Sequence, residues 1–384
     1  MELYIHIPFC VRKCRYCSFV SYPASEVQKE TYTEALLREA DRRISEFTEP
    51  VKTVFIGGGT PSLLSPAQLS RLVEGIHERI PLASATEFTV EANPGTLTEP
   101  FVWAMKRLGV NRLSLGMQAF QDRLLQTLGR IHSFREVEES AALATRYGIE
   151  NLNLDLIFGI PGQTMADWEE TLHAAIRLHP AHVSAYGLIP EEGTPLFRQL
   201  ESGGLSLPEP ELERDMYGKA IEMLRAGGYR QYEISNFAKD SFACAHNIGY
   251  WTQVPYVGLG VSAASMRITS HDGSGLQCLR RTNPEDPDLY LKMALENDPS
   301  LAVTERIGPK ESRFETMMLM LRMNRGVPED LFMELHGVPV EACYGETLEK
   351  MRQSGLMMHE NGAWFLTRKG MDIQNRILVE LMED

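Results

Sequence analysis

Leu3-Tyr4-Ile5-His6-Ile7, closely followed by Cys10-Val11-Arg12-Lys13-Cys14-Arg15-Tyr16-Cys17, decides how the chain is read. The first run is short, apolar and β-rich, as a buried strand is. The second spaces three cysteines as C-x3-C-x2-C. Three thiolates can hold three irons of a [4Fe-4S] cluster and leave the fourth iron without a protein ligand. An open iron can take a chelating amino and carboxylate pair, as S-adenosylmethionine offers, and an electron from the cluster can then break the S–C5′ bond. The alternative is a zinc site with His6 as fourth ligand. Zinc sites usually need a second cysteine pair further on, and none follows.

Working outward, the same strand-then-chemistry unit recurs. Candidate strands are Leu3–Ile7, Lys52–Ile56, Thr86–Glu91, Arg112–Leu115, Asn151–Ile157 and His182–Leu188. Helical patterns at Glu30–Ser45, Pro66–Arg79, Glu99–Leu108, Phe134–Tyr147 and Met165–Leu178 fill the gaps, each long enough for a crossover. Six βα units predict an α/β fold, an incomplete parallel (β/α)6 TIM-like barrel. In such barrels function gathers at the C-terminal strand ends. The distinctive residues keep that phase: the cysteines after strand one, Gly57-Gly58-Gly59-Thr60-Pro61 after strand two, Glu91 ending strand three, Gln118 after strand four, Asp155 and Tyr186 late in strands five and six. A lone acid at a strand end is more often a helix N-cap, but six in phase reverse that expectation. The glycines let a ligand approach the backbone. Glu91 and Asp155 can accept from a ribose or an amino group, and Arg130 can pair with a carboxylate.

Composition bounds the rest. A chain of 384 residues can hold one large core and a smaller second domain. A net charge of −14 argues against nucleic acid as the main partner. No apolar run approaches the roughly 18 residues a membrane span needs, and the first residues lack the charged and apolar regions of a signal peptide. A cytoplasmic location is expected. Cys244, Cys278 and Cys343 stand alone, as small buried residues do in a reducing compartment.

The texture changes over Leu276–Ser300, where Asn283-Pro284-Glu285-Asp286-Pro287-Asp288 breaks regular structure. The expected organisation is a barrel with an attached motif segment over 1–275, a linker over 276–300 and a C-terminal domain over 301–384. In the last, Lys310–Met323, Pro328–His336 and Val340–Ser354 read as helices, with Gly355 as terminator. Leu356–Glu360 and Ala363–Thr367 flank the hairpin signal Asn361-Gly362, and Arg368–Met382 is helical. Helices followed by a hairpin make a small winged-helix-like α+β domain. From Leu301 on, 10 Lys and Arg face 14 Asp and Glu, a balance of −4. A DNA reader should be basic, so the domain reads as a lid over the open side of the barrel. Met317-Met318-Leu319-Met320 with Met323 reads as core packing, with an adaptable ligand surface as the alternative.

The cysteine motif is the signature of the radical S-adenosylmethionine superfamily. Beyond it, Tyr4–Cys10, Gly57–Ser62, Glu91-Ala92-Asn93-Pro94, Ser114-Leu115-Gly116-Met117-Gln118 and Asn153–Gly162 resemble the family containing oxygen-independent coproporphyrinogen III oxidase and a related branch of heme chaperones. The resemblance implies that Cys10, Cys14 and Cys17 bind the cluster. It also implies that Tyr4, Gly58, Gly59, Thr60, Glu91, Gln118, Arg130 and Asp155 surround S-adenosylmethionine.

Three features lean towards the chaperone branch. The oxidase carries another cysteine where this chain has Phe19. The oxidase has an N-terminal extension, whereas this chain starts directly before strand one. Third, His246-Asn247-Ile248-Gly249-Tyr250-Trp251 matches H-N-x-x-Y-W, which looks like the heme motif of that branch. A neutral imidazole can ligate heme iron and two rings can cover the porphyrin; a packed surface loop is the plain alternative. The Gly-rich run Pro255–Ser265 suits a close ligand or a tightly packed strand and turn. The resemblance thus implies a [4Fe-4S] cluster, S-adenosylmethionine and heme as cofactors, and heme delivery to apo-hemoproteins such as respiratory-chain cytochromes, with a homodimer possible. Radical decarboxylation of coproporphyrinogen III is the second reading, and a metal-dependent transcription regulator the third.

Overall fold

The computed structural model describes residues 1–272 and 275–382. All six expected βα strands are present: β1 (Glu2–Ile7), β2 (Val51–Gly58), β3 (Leu82–Ala92), β4 (Arg112–Gln118), β5 (Asn151–Phe158) and β6 (His182–Gly187). Between them run α1 (Glu26–Arg43), α2 (Pro66–Arg79), α3 (Glu99–Arg107), α4 (Asp122–Leu128), α5 (Phe134–Arg146) and α6 (Met165–Arg177). Local chemistry starts these helices. Ser25 with Gln28, Ser65 with Gln68 and Thr164 with Asp167 form reciprocal capping boxes. The strands are buried on both faces, as a parallel sheet covered by helices requires; β4 is buried at every position.

After β6 come α7 (Pro195–Glu201), α8 (Pro210–Ala226), β7 (Arg230–Gln231), β8 (Asn236–Ala238), α9 (Ala245–Trp251) and β9 (Tyr256–Leu259). Then follow β10 (Ala264–Asp272), β11 (Gly275–Thr282), α10 (Pro287–Glu296) and β12 (Val303–Ile307). One sheet of 12 strands runs β12-β11-β10-β9-β1-β2-β3-β4-β5-β6-β8-β7. The stretch from β9 to β6 is parallel throughout, and β9 adds to β1 a seventh parallel strand that periodicity did not reveal. The sheet stays open, with β12 and β7 as its edges, so the incomplete TIM-like architecture holds. The Gly-rich run is a strand and turn: a Cβ on Gly258 would meet the Ala264 carbonyl oxygen at 2.1 Å.

The stretch 276–300 is not a linker. It contains most of β11 and all of α10, and the cluster that looked like a breaker is the start of that helix. Asp286 accepts from the Asp288 and Leu289 amides, with Pro287 in the first turn. Asn283 and Tyr290 then bond to the buried Glu39 of α1 at 2.8 and 2.9 Å. A rule that takes Pro and Asp as punctuation cannot tell a break from a cap.

The C-terminal region contains α11 (Pro309–Met320), β13 (Val327–Pro328), α12 (Glu329–His336), α13 (Val340–Gln353), β14 (Met357–Glu360), β15 (Ala363–Leu366), α14 (Arg368–Met371) and α15 (Gln374–Met382). Asn361 and Gly362 both take positive φ, 53° and 71°, as the tight hairpin needs. The last helix is divided at Asp372-Ile373. This region has its own core around Met317, Phe332, Val340, Leu348 and Leu366, and α11 lies against α9 and β11.

Candidate functional site

The three motif cysteines occupy the loop leaving the C-terminal end of β1. Backbone bonds hold that loop: Cys10 N–H to the Tyr22 carbonyl at 3.1 Å and Arg15 N–H to the Leu128 carbonyl at 2.9 Å. All three thiols are free and half-buried. Cys10 Sγ lies 3.5 Å from Thr60 Oγ1, and Arg130 Nη1 donates to Cys14 Sγ at 3.6 Å. Among the described residues, the one trio of ligand-type groups with donor atoms within 4.8 Å of one another is Glu329, Glu341 and His359. The three cysteine sulfurs do not all lie within 4.8 Å of one another. His6 is also committed elsewhere: Nε2 bonds the Val20 carbonyl at 2.9 Å and Nδ1 the Tyr4 hydroxyl at 3.0 Å. Both facts weigh against mononuclear zinc and fit a donor set spread over a cluster.

Around this loop the expected residues converge. Gly58 has φ +106°, and its amide donates to Glu91 Oε2 at 3.0 Å. A Cβ there would meet the His6 ring at 2.4 Å, and one on Gly59 would meet the Ile7 and Phe9 carbonyl oxygens at 2.8 Å. Burial, and next the Asp155 charge, push the Glu91 carboxyl up to about 7. Asp155 is fixed by Ser114 and Asn153, each at 2.9 Å. Arg130 Nη2 donates to Asn93 Oδ1 at 2.7 Å and the Gly116 carbonyl at 2.8 Å. Burial acts to lower this guanidinium, but Tyr16 and Cys14 outweigh it, so its pKa lies above the usual value. Gln118 sits in the left-handed region at φ 64°, and buried Thr60 accepts from Asn93 Nδ2 at 2.8 Å. Asn93 and Ser114 were missed as site residues although both fall inside family-like runs; each polar side chain sits in a stretch that reads as strand end or turn.

His246 is placed differently. It lies on α9, packed on β2, and is 1% exposed. Nδ1 is 2.7 Å from Thr53 Oγ1 and 3.9 Å from Glu2 Oε2, and Nε2 is 3.1 Å from the Tyr250 hydroxyl. Its ring stacks on Phe55 with centroids 5.1 Å apart. Burial, and then buried Arg112, depress the imidazole to about 3, so it is neutral. Glu87 of β3 holds the helix start, accepting from the Ala245 and His246 amides at 3.0 Å each. The motif is therefore a short helix with His246 and Gly249 buried, not a surface loop.

Part of the first region, without its cysteines, shares with α9 one cavity of about 650 Å³. Tyr4, His6, Phe19, Gly58 and Glu91 line one side; His246, Tyr250, Trp251 and Tyr256 line another. Met318 and Leu319 of α11 close it from the C-terminal region. The methionine run thus divides: Met317 and Met320 are buried in the core, while Met318 faces the cavity. Residues from β1, β2, α9 and α11 meet only in three dimensions.

Comparison with known proteins agrees with this arrangement. Residues 4–175 match the radical SAM superfamily and 307–373 the HemN C-terminal domain. The heme chaperone HemW of Bacillus subtilis is 36% identical over 376 residues, covering 97% of each chain. That of Escherichia coli is also 36% identical, over 98% of this chain and 97% of its own. Among solved structures, Escherichia coli coproporphyrinogen III oxidase superposes with a TM-score of 0.83 at 22% identity, over 99% of this chain and 89% of that one, which establishes the fold. The superfamily implies a [4Fe-4S] cluster and S-adenosylmethionine, which together supply one-electron reductive cleavage of a sulfonium bond. No helix among the described residues is long and apolar enough to cross a membrane. The chain belongs to the heme chaperone HemW family of radical S-adenosylmethionine proteins.

Proposed function

We propose that this protein is a heme chaperone that takes up heme beside its cluster and S-adenosylmethionine site and passes it to apo-hemoproteins such as respiratory-chain cytochromes. The observation that carries this reading is the cavity between α9 and the C-terminal ends of β1 to β3, lined also by Ser18, Phe19 and Val20 just after the cysteine motif. Its volume lies within the usual range of roughly 300–1,000 Å³ for small-molecule sites. Its walls are rich in rings, with Met266 and Met318 among them, suited to a flat apolar macrocycle. Cys10, Cys14 and Cys17 would hold the cluster. Tyr4, Gly58, Gly59, Thr60, Glu91, Gln118, Arg130 and Asp155 would surround S-adenosylmethionine, with Arg130 for its carboxylate and Glu91 or Asp155 for its ribose or amino group. His246 would ligate heme through Nε2 once the Tyr250 hydroxyl moves aside.

Phe19 lines the cavity where the oxidase is expected to have a cysteine, which favours binding over decarboxylation. The test is an anaerobic heme titration, followed in the Soret band, of wild type beside His246→Ala. Transfer to an apo-cytochrome and an assay for protoporphyrinogen complete it. Saturable binding that weakens or shifts in the variant, with transfer and no porphyrinogen product, is expected. Equal, non-saturating adsorption by both proteins would overturn the chaperone reading, and anaerobic product formation would put the oxidase in its place.

A further inference from the structure

The far side of the His246 ring contains an arrangement that the motif itself does not account for. Thr53 Oγ1 sits 2.7 Å from Nδ1. Behind it lies Glu2, 3% exposed, whose Oε2 has no hydrogen-bond partner among the described residues and stands 3.9 Å from Nδ1. Burial above all pushes that carboxyl up to about 8, against the N-terminal amine and then the Thr53 hydroxyl, so at neutral pH it is mainly a neutral acid. Space for it is created within the motif: a Cβ on Gly249 would meet Glu2 Oε1 at 1.7 Å. An acid is thus buried against a histidine through one hydroxyl, and a glycine of the same helix makes room for it.

We infer that Glu2 and Thr53 are positioning residues for His246, forming a carboxyl–hydroxyl–imidazole relay that sets the electron richness of the nitrogen offered to heme iron. The inference rests on the proposed heme reading. Its polarity follows from proton counting. A neutral imidazole that ligates through Nε2 must carry its proton on Nδ1. That N–H donates to Thr53 Oγ1, so the threonine must turn its own proton elsewhere, and the unpartnered Glu2 Oε2 is the buried acceptor on that side. No proton leaves its atom. Hydrogen bonding of this kind orients the ring and raises ligand basicity. A more basic ligand favours ferric over ferrous heme.

The test is potentiometric titration of the heme-loaded protein, wild type beside E2L, T53V and T53S, with Soret spectra and heme stoichiometry for each and H246A as reference. E2L, which removes the acceptor, and T53V are expected to bind heme with a reduction potential shifted positive, and T53S, which keeps the hydroxyl, to return the wild-type value. Should E2L fold poorly, the T53V and T53S pair decides alone. Unchanged potentials in E2L and T53V, with a spectrum that still shifts in H246A, would overturn the relay and leave His246 as ligand. A spectrum unchanged in H246A would instead overturn the ligand assignment on which the relay depends.

Discussion

The cysteine-side wall of the central cavity, with the cysteine loop next to it, and the α9 wall are built on opposite principles. On the cysteine side the groups expected to bind a cofactor are half-exposed and free, on a loop fixed by its backbone. On the α9 side the proposed ligand is buried and both its nitrogens are engaged. One wall is open to what it would bind; the other must first release a hydrogen bond. A resident cofactor suits the first design and a cargo that must leave again suits the second. The chemistry behind the walls differs too: Arg130 brings positive charge against the cysteine loop, whereas His246 stays neutral beside Glu2 and Tyr250.

The largest expected effect tests the open wall. After anaerobic reconstitution, wild type should contain about four irons and four sulfides, and a Cys10→Ala/Cys14→Ala/Cys17→Ala variant only background, while Cys343→Ala matches wild type. Full iron content in the triple variant would sink the assignment and the comparison with it. Next comes Gly58→Ala. Its φ of +106° and the His6 ring, held by two hydrogen bonds, leave a methyl group nowhere to go. We expect a loss of about 2–4 kcal/mol in denaturant unfolding, together with loss of S-adenosylmethionine binding by calorimetry. Wild-type behaviour would mean the glycine row is an ordinary turn.

These walls were not equally legible in the sequence. The open wall follows from strand–loop repetition: each of Glu91, Gln118 and Asp155 lies in or at the end of a strand whose apolar pattern is strong, so position in sequence gives position in space. The closed wall has no such rule. Thr53 and Phe55 share one face of β2, but nothing local says that they meet His246 some two hundred residues later. Strand β9, only four residues long, carries too few side chains for a periodic signal, yet it completes the parallel run beside β1. The missed helix α10 shows the same limit from the other side, because its capping chemistry uses the residues that ordinarily stop a helix.

The pH dependence of stability should separate the walls by sign. His246 has a folded pKa of about 3, depressed below the ordinary 6.5. Below 6.5 the unfolded chain binds a proton that the native ring does not, so this stabilisation is present above 6.5 and lost as pH falls. Between pH 6.5 and 5.5 the loss is about 1 kcal/mol, and it steepens towards about 1.4 kcal/mol per unit below that. Glu91 is raised to about 7, so the native state keeps a proton that the unfolded chain has released. Its contribution is lost as pH rises from about 4.5 to 7, again at about 1.4 kcal/mol per unit. Urea unfolding at several pH values should therefore show a shallower acid loss in His246→Gln and a shallower fall towards neutrality in Glu91→Gln. Equal slopes in wild type and both variants would show that neither group is held as the structure implies.

The smallest effect on stability carries the most for the comparison. Tyr250→Phe removes the hydroxyl 3.1 Å from His246 Nε2 and leaves the ring packing on Tyr256, 4.7 Å between centroids, in place. One lost hydrogen bond costs about 1 kcal/mol or less, a small change in the unfolding midpoint. Heme association should nevertheless quicken, because the nitrogen no longer has to exchange an internal partner for iron. Stopped-flow mixing of heme with wild type and variant, read in the Soret band, measures this directly. A faster variant makes the tyrosine a latch on the closed wall. Equal rates would mean that α9 opens as a whole before heme arrives, and a slower variant that the hydroxyl guides heme in; either would remove the latch and leave burial alone to distinguish the two walls.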